Sequence, residues 1–157
     1  MSDKAENVSD KAEKVSDKPE KGNDKAEKVN DKAEKDWVTA RFACSLPTVF
    51  KQLMLQVEDD IKTRNNLRPN NSPYEFSVTE DGDEFTVILT AGDVRRSVIF
   101  SLAEHAIGVR DSRGKVMFDV TLSFNDEGEC KLNVQEKERE LWQVRRMALE
   151  ELLFRGY

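Results

Sequence analysis

Histidine is almost absent from this chain: its 157 residues hold one, His105, beside only two cysteines, Cys44 and Cys130. A metal site of the HExxH or CxxC kind is therefore excluded, and neither P-loop nor GxGxxG spacing occurs. No apolar run approaches the roughly 18 residues that a membrane-spanning helix needs. The N-terminus also lacks the apolar core of a secretory signal. These absences predict a soluble, cytoplasmic protein with no cofactor, no metal and no membrane partner. The two cysteines, 86 positions apart and without metal-ligand spacing, are expected to be reduced, partly buried thiols.

Aromatic residues are missing from the first 36 positions, where the only aliphatic side chains larger than alanine, apart from Met1, are Val8, Val15 and Val29. Such a segment cannot bury enough surface to offset the entropy of ordering its backbone. It reads SDKAENV, SDKAEKV, SDKPEKG, NDKAEKV and NDKAEKD, five copies in one register. Ala5, Val8, Ala12 and Val15 open a formal a/d heptad seam, which raises a coiled coil as an alternative. Pro19 and Gly22 interrupt that seam at a cost of about 3 and 1 kcal/mol. Glu13 with Asp17 and Lys14 with Lys18 add like-charge i,i+4 pairs. Residues 1–36 are thus expected to form a disordered or transiently helical tail that solubilises, and 37–157 a compact domain. The Lys, Ala, Glu and Asp content of the tail is similar to that of late-embryogenesis-abundant proteins, whose usual period is eleven residues rather than seven.

Charge is acidic in both parts. Nine lysines stand against eleven acids before Trp37, and sixteen bases against twenty acids from there on, so the net charges are −2 and −4. Neither part carries the broad basic footprint of a phosphate-driven nucleic-acid binder.

Periodicity then gives the domain. Ser45 is placed to cap a helix in which Phe50, Leu53, Met54, Val57 and Ile61 share one face, ending between Thr63 and Leu67 ahead of Pro69. Alternation predicts strands at Tyr74–Val78, Phe85–Leu89, Val98–Leu102, Ala106–Arg110, Val116–Phe124 and Cys130–Val134, joined by short turns at Asp81-Gly82 and Gly92-Asp93. A second helix is expected from Glu136 to Phe154. The fold class is α+β: a two-layer sandwich in which an antiparallel meander of about five to six strands packs one face against an N-terminal and a C-terminal helix.

The last helix has an unusually wide apolar arc. Trp142, Leu149, Leu153, Phe154 and Tyr157, flanked by Arg145 and Arg146, are its candidate partner-binding residues, because Trp, Tyr and Arg are common interface anchors. The leading expectation is a non-enzymatic interaction, adaptor or chaperone-like module whose partner is another protein or a second copy of itself. In outline, a small acidic domain with two helices on an antiparallel sheet is similar to the secretion chaperones of type III systems. A small-ligand or catalytic pocket between sheet and helices, with His105 as its base, is the alternative. Nucleic-acid binding through Arg95, Arg96, Arg110 and Arg113 ranks last, since Asp93, Asp111 and Asp119 interleave with these bases.

Overall fold

The computed structural model describes residues 35–155. Nearly all of the repeat tail and Tyr157 lie outside the described residues. The chain divides into two units, Met1–Trp37 and Val38–Tyr157, and the sheet with its core belongs to the second.

Among the described residues three helices and seven strands follow one another: α1 (Trp37–Ala43), α2 (Leu46–Asn66), β1 (Tyr74–Asp81), β2 (Glu84–Ala91), β3 (Val94–Leu102), β4 (Ile107–Asp111), β5 (Val116–Phe124), β6 (Cys130–Val134), β7 (Lys137–Arg139) and α3 (Leu141–Phe154). The strands form one antiparallel meander in sequence order. The class is α+β, with one strand and one short helix more than the sequence pattern predicts.

Helix α2 starts where Ser45 takes an extended backbone and its hydroxyl accepts the Thr48 N–H at 3.4 Å. Its stripe of Val49, Phe50, Leu53, Met54, Val57 and Ile61 is buried. Alternate residues of the sheet meet it, Phe76, Phe85, Val87, Leu89, Val98, Phe100, Val109 and Val120 among them. The rings of Phe50, Phe85 and Phe100 form a row with centroid separations of 5.2 and 4.5 Å. Burying one such side chain contributes about 1.5–3 kcal/mol. Val144, Ala148, Leu149, Leu152 and Leu153 of α3 enter the same core. Ile88 departs from the alternation: it lies on the opposite face, between Ser77 and Ser97 in register, and is still buried.

Two hairpins place glycine at the first turn position, Gly82 at φ 63° and Gly92 at φ 61°, a conformation that glycine adopts without strain. The turn between β6 and β7 uses Gln135 and Glu136 at φ 53° and 68° instead. Two consecutive left-handed residues make the tight turn that Asn-Gly ordinarily signals. Gln-Glu gives no such signal, and the helix expected from Glu136 is corrected here. Residues 137–139 pair with β6, and α3 begins only at Leu141. Glu140 sets that start, with an extended backbone and its N–H donated to Gln143 Oε1 at 2.8 Å.

Both sheet edges are guarded. On β1, the Asn65 side chain accepts the Phe76 N–H at 3.1 Å and donates to the Phe76 carbonyl at 2.8 Å, pairing with the strand as another strand would. At the other edge β7 is three residues long and charged, which discourages edge-to-edge pairing.

Candidate functional site

Helices α2 and α3 run side by side in the same sense. Near the start of α3, Arg145 Nε donates to Asp60 Oδ2 at 2.6 Å, and its Nη1 donates to Gln56 Oε1. At the far end, Arg64 Nε donates to the Leu153 carbonyl at 2.9 Å. The Arg64 guanidinium carbon lies 5.3, 5.2 and 5.1 Å from the ring centroids of Tyr74, Phe76 and Phe154, within the range of cation–π attraction. It also donates to Tyr74 Oη at 3.2 Å, and that contact, ahead of all others, holds the phenol below its ordinary pKa.

Between the two helices runs a groove of about 390 Å³. Leu149 and Leu153 are buried and form its floor; Trp142, Phe154 and Leu67 stand on its walls with 50%, 63% and 73% of their surface exposed. Arg146 lies along the rim, with its Nε 3.1 Å from Glu150 Oε1 one helical turn on. The structure thus gathers six of the seven candidate partner-binding residues at one place, and Tyr157 falls outside the described residues. It assigns them different parts: Leu149 and Leu153 are core, Arg145 joins the two helices, and Trp142, Arg146 and Phe154 face outward.

From α2 and its C-cap come Asp60, Thr63, Arg64 and Leu67, none of them singled out by the sequence pattern. Arg64 in particular reads as an ordinary last-turn cation of a helix. The one signal available was its place four residues beyond Asp60, on the flank of the buried stripe.

The cysteines require a correction. Cys44, buried between α1 and α2, forms a disulfide with Cys130 at the start of β6, so the pair is not two reduced thiols. The meander carries β6 beneath the α1–α2 junction and brings the two Cα atoms to 5.3 Å, inside the range a disulfide spans. Beside the cross-link lies a second surface recess, about 510 Å³, bordered by Ala40, Ala43, Lys51 and Leu55.

The arginines of strands β3 to β5 do not form one surface. Arg110 donates to Glu84 Oε2 at 2.8 Å and to Ser101 Oγ at 3.0 Å, on the face away from the helices. Arg95, Arg96 and Arg113 line a different recess with Lys115, Asp111 and Glu151. The Asp111 carboxylate is engaged by the N–H groups of Arg113 and Lys115, at 2.9 and 3.0 Å. His105 projects from the β3–β4 connection with 89% of its side chain exposed, 3.7 Å from Glu104. Such a place offers a general base no shielding from water.

Among the described residues no group of three or more His, Cys, Asp or Glu is placed to hold a metal ion. No described helix is long and apolar enough to cross a membrane. No protein-family model, curated protein or solved structure matches this chain.

Proposed function

We propose that the domain is a non-enzymatic protein-interaction module, of adaptor or chaperone-like kind, that docks a protein partner on the α2–α3 groove. One observation carries the reading: Trp142 and Phe154 remain largely exposed on either side of an apolar floor, although Val144, Ala148, Leu149, Leu152 and Leu153 of the same helix are buried. Large aromatics flanked by arginine are the side chains from which interfaces draw most of their energy. A floor already packed by Leu149 and Leu153 presents such a surface without reorganisation, which lowers the entropic cost of docking.

Compartment follows from the cysteines. The cytoplasmic expectation rested on the lack of a long apolar run and of a signal-like N-terminus, whereas the Cys44–Cys130 bond is of a kind that persists chiefly in oxidising settings. An oxidising compartment is therefore part of the proposal.

A photo-reactive phenylalanine analogue placed at Trp142, or at Thr79 on the other face of the sheet, tests the docking surface. Irradiating the full chain in extract of the expressing cells should give discrete protein adducts from position 142 and not from 79. Phe154→Ala in the same chain should remove them. Equal yields from both positions, or none from either, would overturn the reading.

A further inference from the structure

We infer that the partner at this surface is a second copy of the chain, bound through α3 in antiparallel fashion about a two-fold axis level with Ala148. The inference rests on the docking role proposed for the groove and deepens it by naming the occupant.

Trp142, Arg146, Glu150 and Phe154 follow one another at intervals of four and therefore form a single row along the helix. At 1.5 Å per residue that row is about 18 Å long. Trp142 and Phe154 are 50% and 63% exposed, and the Arg146 and Glu150 side chains 64% and 41%. A two-fold interface demands that if residue i touches residue j of the partner, j touches i in return.

The row meets that condition. Trp142 and Phe154 lie equally far from Ala148 on either side, and so do Arg146 and Glu150. Laid antiparallel on its copy, the row sets each Trp142 beside a Phe154 and each Arg146 beside a Glu150, so aromatic meets aromatic and cation meets anion at every position. Laid parallel, it would set Arg146 on Arg146 and Glu150 on Glu150. Charge order selects the antiparallel arrangement. Leu153 on the floor then lies beside the incoming Trp142, and Leu67 at the end of α2 extends the apolar strip.

Sedimentation equilibrium of the full chain tests the pairing with the variants R146E and E150R, the double variant R146E/E150R, and an equimolar mixture of the two single variants. The wild type should dimerise. Each single variant opposes like charges at both symmetric contacts and should weaken the dimer by about tenfold or more. The double variant should recover wild-type association, because reversing both charges restores the pairing. The mixture should recover it as a heterodimer, an outcome that a change within one helix cannot produce. Circular dichroism melts confirm that the exposed substitutions leave the fold intact.

A wild type that stays monomeric throughout the accessible concentration range would overturn the inference. So would a dimer indifferent to R146E and E150R, or one that the mixture fails to restore. Adducts from position 142 to other polypeptides alone, with a monomeric wild type, would remove the self-pairing and leave the docking role in place.

Discussion

Helix α2 is fastened differently at its two ends. At its N-terminal end, Cys44 stands immediately before the capping Ser45 and is covalently joined to β6. At its C-terminal end, Arg64 holds the helix to β1 and α3 with hydrogen bonds and three ring contacts, all of them reversible. The difference separates scaffold from surface. A covalent seam fixes where α2 lies, and the seam of reversible contacts borders the exposed aromatics that can exchange solvent for a partner.

Removing the fixed end should have the largest effect. A cross-link closing 86 residues of chain restricts the unfolded ensemble by about 4.5 kcal/mol. Cys44→Ser with Cys130→Ser, or reductant alone, should therefore lower the unfolding free energy by several kcal/mol in a urea titration. A loss below about 1 kcal/mol would show that the two ends are not fastened differently.

Cutting the reversible end should cost less. Arg64→Ala removes hydrogen bonds and ring contacts and should destabilise by about 2 kcal/mol. Arg64→Lys should restore under half of that, because an ammonium lacks the planar fork that reaches both Leu153 and Tyr74. Equal stability of the two variants would reduce Arg64 to a generic cation.

The same contact makes a pH prediction at Tyr74. Its phenol, held below the ordinary value of 10.0 chiefly by the Arg64 hydrogen bond, should ionise earlier in an absorbance titration than it does in Arg64→Ala. Tyr74→Phe should delete that early step. The sign follows from linkage: a lowered folded pKa adds stability that is complete only above the unfolded value and disappears as pH falls through the folded one. The contribution is thus confined to alkaline solution. Coincident titrations in the wild type and Arg64→Ala would contradict the assignment.

The smallest effect belongs to the repeats. Their composition supplies almost no apolar surface, so deleting residues 2–35 should move the melting temperature of the domain by less than about 2 °C. A larger drop would show that the tail contributes contacts of its own.

Much of the fold could be read from periodicity, because buried stripes leave a regular trace. Phe50, Leu53, Met54, Val57 and Ile61 announced α2, and alternation with Gly82 and Gly92 announced most of the strands. Strand β7 left no trace: Gln135 and Glu136 adopt a turn that their identities do not signal, and three charged residues look like the start of a helix. Helix α1 buries no residue and so has no stripe to detect. The disulfide joins positions that only the completed meander brings together. At the groove, the width of α3's apolar arc was visible in sequence, but the division of labour within it was not. Which way Leu149 and Trp142 face depends on the angle at which α3 meets the sheet, a property of the packed core.

The docking role of α3 is tested most directly by the emission of Trp142. In Trp37→Phe the chain keeps this single tryptophan, half exposed on the groove wall. As protein concentration rises, its emission should shift to the blue and its quenching by acrylamide should fall, and R146E should suppress both changes. An emission maximum and a quenching constant that stay the same at all concentrations, alone and in cell extract, would contradict the claim that this face is covered in the working protein.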